Sequence, residues 1–138
     1  MDFEDLQGAR DYSAQHAYSQ SKLANVMFTN ELARRLQGTG VTANSLHPGV
    51  VRTNFGAEDQ AGFFSVMGGM VRPFLKTPAQ GAQTSIYLAS SPDVDGVTGQ
   101  FFVNRKPKTA NKVAYDPAAM ARLWQTSADL VGMKPAIS

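Results

Sequence analysis

Two side chains of this 138-residue chain have the types and spacing of a proton-transfer pair, Tyr18 and Lys22. Both lie in a stretch without Pro or Gly, from Ala14 to Leu36, so a helix places them on one face, one turn apart. A nearby ammonium lowers the pKa of a phenol, which can then exchange a proton with a carbonyl or alcohol oxygen near neutral pH. The same spacing is also typical of a solvated helix face.

A second candidate site is the turn from His47 to Thr53, with the sequence His-Pro-Gly-Val-Val-Arg-Thr. It follows Val41 to Leu46, which we predict to be a buried strand because it begins with β-branched residues and ends abruptly at Pro48. In open α/β sheets, ligands bind beyond the carboxyl ends of the strands. An ordinary strand-ending turn is the alternative interpretation.

The long helix must position Tyr18 and Lys22, and its pattern predicts how it packs. Ser13 is a candidate N-cap, and apolar side chains occupy two rows of the helix, which indicates contact with both a sheet and a second helix. A helix, a short loop and a strand form the second part of a βαβ crossover.

Three further elements follow in the sequence. Thr77-Pro78 predicts the start of a second helix, and Asp116-Pro117 the start of a last one. We predict another short strand from Gln100 to Val103. A basic loop from Arg105 to Lys112 separates it from the last helix. The predicted fold class is α/β, with a long helix, two short strands and flanking helices.

Composition excludes several classes of protein. Cysteine is absent and 43% of the residues are hydrophobic, which fits one folded domain and excludes a disulfide scaffold or a thiolate zinc site. The net charge of +2 gives little reason to expect nucleic acid. His16 and His47 lack metal-ligand spacing, so we expect His16 on the surface and His47 packed in its turn. We expect an intracellular, cytoplasmic protein without a metal; a membrane-associated organelle is the alternative, with any membrane association made through segments outside this sequence.

The motifs together resemble the short-chain dehydrogenase/reductase family. Tyr-Ser-Gln-Ser-Lys-Leu-Ala-Asn, from Tyr18 to Asn25, and Leu-His-Pro-Gly-Val-Val-Arg-Thr, from Leu46 to Thr53, are most similar to its retinol dehydrogenase-like branch. The resemblance implies a Rossmann-type fold with a doubly wound parallel sheet. It also implies hydride transfer between NAD(P)(H) and a small alcohol, aldehyde or ketone.

The resemblance assigns roles to individual residues. It implies that Tyr18 is the catalytic acid/base, and that Lys22 binds the nicotinamide ribose and lowers the pKa of Tyr18. It further implies that the backbone around Pro48, Gly49 and Val51 holds the nicotinamide carboxamide, and that Thr53 adds a contact to the cofactor. The preference between NAD and NADP is not readable from these residues.

The segment from Asn54 to Lys76 occupies the place of the family's variable substrate lid. Its large apolar side chains favour a lipophilic substrate, although simple packing explains such a cluster equally well. These lid candidates are Phe63, Phe64, Met67 and Met70.

The family's glycine-rich fingerprint, catalytic serine and relay asparagine are not found in this sequence. The resemblance therefore implies that residues 1–138 are the carboxyl-terminal catalytic half of one Rossmann-type domain, inactive by itself and pairing through the long helix with another copy when the domain is whole. The alternative function is a non-catalytic fragment that acts by packing or association. A nucleotide-sugar epimerase of the same superfamily is a third interpretation, which the Pro-Gly-x-Val-x-Thr turn disfavours.

Overall fold

The computed structural model describes residues 1–10, 12–51 and 76–133. These ranges contain the helices α1 (Ala14–Arg35), α2 (Pro78–Ser90) and α3 (Pro117–Leu130), and the strands β1 (Ser45–His47), β2 (Phe101–Val103) and β3 (Lys106–Lys108). Short 3-10 turns lie at Pro92–Val94 and Lys112–Tyr115. Among the helices of these ranges, none is both long enough and apolar enough to cross a bilayer.

The three helices begin where their capping residues predict. The Ser13 side chain caps α1, and the Asp116 carboxylate accepts hydrogen bonds from two backbone amides in the first turn of α3. At the start of α2, the Gln80 amide donates to Thr77 Oγ1 at 3.2 Å and the Thr77 amide donates to Gln80 Oε1 at 2.9 Å. This reciprocal capping box satisfies two backbone donors that a helix start leaves unpaired.

In the described part of the chain, the sheet has three strands in the order β1-β2-β3, where the sequence predicted two. Ser45 pairs with Phe101 in the parallel β1-β2 ladder, while β3 runs antiparallel to β2. The prediction of a parallel sheet therefore holds for the first pair only. A two-residue turn joins β2 to β3, and both of its residues have positive φ, 52° at Asn104 and 63° at Arg105, a geometry that favours a tight hairpin.

The prediction of a buried strand from Val41 to Leu46 is wrong about where the strand starts and how far it is buried. β1 begins only at Ser45, its residues are half-buried or exposed, and Val41 is 56% exposed. The Asn44 side chain explains the late start, because its amide donates to the Val97 carbonyl at 2.7 Å and its oxygen accepts from the Gln100 amide at 3.0 Å. These side-chain bonds replace ladder pairing at that residue.

Helices cover both faces of the sheet. Phe101 packs against the main apolar cluster on α1, α3 and the nearby 3-10 turn, formed by Val26, Met27, Ala114, Met120 and Leu123. Phe102, one residue later and only 1% exposed, points to the other face, where its ring lies 6.5 Å from that of Tyr87 on α2. The α1 helix thus contacts both a sheet and a second helix, as predicted, and the layers are compatible with part of a Rossmann-like α/β fold.

A charged cluster anchors the second half of α1 against α3. The Glu31 side chain is fully buried and accepts hydrogen bonds from Arg34 at 2.8 and 2.9 Å and from Arg35 at 2.7 Å. The hydrogen bonds from Arg34 lower the pKa of Glu31, with burial opposing and Arg35 assisting. The Arg35 guanidinium lies 4.7 Å from the Trp124 ring centroid, and Trp124 stacks on Phe28 at 4.7 Å. The orientation of α1 is therefore fixed by charge as well as by apolar packing.

Candidate active site

Tyr18 and Lys22 lie on the solvent-facing side of α1, in its second and third turns. The Lys22 ammonium sits over the Tyr18 ring, 5.1 Å from the ring centroid, and Tyr18 is 60% exposed. Ser21 lies between them in sequence, and its hydroxyl donates to the Tyr18 carbonyl at 2.7 Å, so it serves the helix backbone. An accessible phenol beside a fixed cation can exchange protons with a ligand above this face.

The turn after β1 folds tightly around Gly49. The Gly49 amide donates to Nδ1 of His47 at 2.9 Å, and Gly49 has a φ of +87°, which side chains rarely tolerate. His47 is exposed, whereas the sequence suggested a packed turn residue. Val51, at the far end of the turn, packs so closely on α2 that a Cβ added at Gly81 would lie 2.6 Å from it.

Lys76 links this turn to the rest of the sheet, a role that the sequence alone did not predict. Its ammonium donates to the Pro48 carbonyl at 3.1 Å and to the Asn104 side-chain oxygen at 2.5 Å. Pro48 follows β1 and Asn104 follows β2, so Lys76 joins the carboxyl ends of the two parallel strands. One sequence signal could have indicated this role. Lys76 directly precedes Thr77, the N-cap of α2, and a helix cap fixes the direction of the chain at the residue before it.

The polarity of α1 directs Tyr18 towards the same end of the sheet as this turn. Ala33, near the end of α1, lies beside Gly99, which comes just before β2. A Cβ built at Gly99 would lie 3.5 Å from the Ala33 Cβ. Tyr18 lies fifteen residues earlier, about 22 Å back along the helix axis and past the carboxyl ends of the strands. Within the described ranges, no hydrogen bond joins Tyr18 or Lys22 to the turn.

Five of the predicted site residues lie outside the described part of the chain, and their roles stay predictions. They are Thr53 from the cofactor turn and the four lid candidates Phe63, Phe64, Met67 and Met70.

Comparison with known proteins shows what this chain is similar to. Residues 6–62, which include Tyr18, Lys22 and the turn around Gly49, match the family model described as short chain dehydrogenase. This match confirms the resemblance to the family that the sequence motifs indicated. Among individual proteins, it is 47% identical over 135 residues to retinol dehydrogenase 14 of Mus musculus and 45% identical over 141 residues to retinol dehydrogenase 14 of Homo sapiens.

A third relative, retinol dehydrogenase 13 of Mus musculus, is 44% identical over 138 residues. All three alignments cover 96% of this chain but only 40 or 41% of the relative. The chain thus spans about two fifths of the length of the curated relatives that it matches.

Proposed function

We propose that this chain carries the proton-transfer site of an NAD(P)-dependent oxidoreductase that interconverts an alcohol with an aldehyde or ketone. The observation that carries the proposal is the Lys22 ammonium held over the exposed Tyr18 ring at 5.1 Å. The match of residues 6–62 to the short chain dehydrogenase model supports NAD(P) as the cofactor. On this proposal the chain is the carboxyl-terminal half of one catalytic domain and is inactive by itself.

The residues present fit the nicotinamide end of such a cofactor. Gly49, at the centre of the turn after β1, carries no Cβ and has a φ of +87°, a conformation that glycine adopts without strain. The backbone of Pro48, Gly49 and Val51 would hold the carboxamide, and Lys22 would bind the ribose. When bound, the nicotinamide supplies or accepts the hydride.

Tyr18 moves the proton in this mechanism. During reduction its hydroxyl gives a proton to the carbonyl oxygen of the substrate, and during oxidation the phenolate takes the proton of the alcohol. Lys22 stabilises the negative charge that develops on the phenol oxygen. Because Tyr18 stands at the exposed end of α1, the substrate can approach it without a change in the helix.

The substrate is proposed to be a lipophilic alcohol, aldehyde or ketone. The relatives are named retinol dehydrogenases, and the segment of residues 54–75 is rich in Phe and Met. We also propose that α1 pairs with a second copy in the whole domain, since Phe28 on this helix stays 39% exposed.

A non-catalytic fragment that acts by association is the second candidate. Several apolar side chains are exposed, including Val50 at 63% and Ile86 at 60%, and the alignments cover only 40% of the retinol dehydrogenase 14 relatives. Such surfaces suit packing against another polypeptide.

A chimera separates the two functions. The chain replaces the matched residues of Mus musculus retinol dehydrogenase 14, and oxidation of NADH and NADPH is followed with retinaldehyde as substrate. Turnover is expected with at least one cofactor. A chimera that folds, as shown by circular dichroism, but does not turn over would favour the fragment.

Lys22→Met in this chimera is expected to lower kcat/KM by about a hundredfold, because the variant keeps the apolar stem and removes the cation beside the phenol. Steady-state kinetics measure the effect. Lys106→Met, on the exposed strand β3, is the matched control and should leave kcat/KM within about twofold. Equal losses in the two variants would contradict the role of Lys22.

Gly49→Ala is expected to destabilise the chimera more than Gly40→Ala. Both glycines have positive φ, 87° and 79°, so both substitutions carry the same backbone strain, about 1–2 kcal/mol. Only at Gly49 does the new Cβ meet a neighbour, the Lys76 side chain at 2.8 Å, whereas nothing lies within 4 Å at Gly40. Thermal midpoints of the two variants measure the difference, and equal midpoints would show that the Lys76 contact contributes nothing.

A further inference from the structure

We infer that Lys76 is a positioning residue for the cofactor: its ammonium fixes the turn that meets the nicotinamide, and the inference rests on the proposed function. Lys76 does not need to touch the cofactor for this role. It acts through the backbone of Pro48 and Gly49.

Lys76 holds the turn from two sides. Its backbone amide donates to the Val50 carbonyl at 3.0 Å, and residue 76 forms a parallel bridge with Val51. Its side chain passes back over Gly49, where an added Cβ would lie 2.8 Å from both Cε and Nζ, and ends on the Pro48 carbonyl. Lys76 thus contacts the turn at each residue from Pro48 to Val51.

The charged end of Lys76 also bonds to a second partner. The same ammonium donates to the Asn104 side chain at 2.5 Å, in the turn that follows β2. Asn104 has a φ of 52°, a conformation that asparagine tolerates better than most residues. Hydrogen bonds from a charged donor are stronger than neutral ones, so the pair fixes the distance between the ends of β1 and β2.

This placement predicts an effect confined to one end of the cofactor. Without the ammonium, the backbone at Pro48 and Gly49 gains freedom, and the carboxamide loses a preorganised partner. The adenosine end binds elsewhere in the domain and loses nothing. A general loss of folding would instead weaken binding of both ends.

The test uses Lys76→Met in the chimera, with Lys108→Met on β3 as the control. Amide hydrogen exchange of residues 49–51 should speed up about tenfold in Lys76→Met alone. KM for NADH or NADPH should rise about tenfold, while the inhibition constant of ADP-ribose, which lacks the nicotinamide, should stay within twofold. Asn104→Ala should act in the same direction, and the double variant should be no worse than Lys76→Met alone.

Each result decides one point. Unchanged exchange in Lys76→Met would overturn the inference whatever the activity, while turnover of the parent chimera would leave the proposed function standing. Faster exchange with equal weakening of NAD(P)H and ADP-ribose would also overturn it, since the effect would then be structural. If the parent chimera turns over nothing and binds neither NADH nor NADPH by fluorescence titration, the proposed function and this inference both fail.

Discussion

Tyr18→Phe is expected to lower the kcat of the chimera by about a thousandfold in both directions of the reaction, because general acid–base catalysis contributes about 10² to 10⁴. The substitution removes one oxygen from a side chain that is 60% exposed, so folding should not change. Cofactor KM should stay within about threefold. Stopped-flow measurement of the hydride step under single turnover isolates the chemical effect from product release.

Tyr12→Phe provides the matched control, since Tyr12 is also exposed, at 72%, and lies six residues earlier. It should retain full activity. Retention of more than a tenth of the kcat by Tyr18→Phe would exclude Tyr18 as the acid/base and leave the Tyr18–Lys22 contact as an ordinary feature of a solvated helix.

The second large effect falls on stability. Glu31→Ala is expected to lower the free energy of unfolding by about 3 kcal/mol, the loss typical when one partner is removed from a buried ion pair. The fully buried carboxylate holds both Arg34 and Arg35, and Arg35 in turn covers Trp124. Thermal and urea unfolding of the chimera measure the change. Glu4→Ala is the control, because the Glu4–Arg122 pair is exposed at both ends, and its effect should be much smaller.

The Glu31 carboxylate also makes the stability of the fold depend on pH. Its pKa is lowered in the folded chain, below its ordinary value of 4.5, first by the hydrogen bonds from Arg34. The stability that it contributes is therefore fully present above the unfolded pKa and is lost as pH falls through the folded pKa. Below pH 4.5 the parent should lose stability more steeply than Glu31→Gln. Parallel curves for the two proteins would contradict this assignment.

The helices were predictable because their signals are local. Ser13, Thr77-Pro78 and Asp116-Pro117 each mark a helix start in the sequence, and each cap forms its hydrogen bonds within three residues. The Tyr18–Lys22 pair shares this advantage, since helical spacing alone sets its geometry.

The sheet was less predictable because its signals are distant in sequence. β3 has the sequence Lys-Pro-Lys, which no strand propensity favours, and exists through pairing with β2. β1 starts late because Asn44 bonds to residues 53 and 56 positions away. Lys76 likewise reaches partners 28 residues before and after itself. No local pattern encodes such contacts.

These separations also set the order in which the parts of the site form during folding. The β2-β3 hairpin closes over a two-residue turn, so we expect it to form within microseconds. The β1-β2 ladder joins residues 56 positions apart, Ser45 and Phe101, so it bears a larger loop-closure entropy and forms later. The Lys76 contacts need both strands in register. The turn around Gly49 is therefore expected to form last, and substitutions there should speed unfolding while leaving the refolding rate almost unchanged.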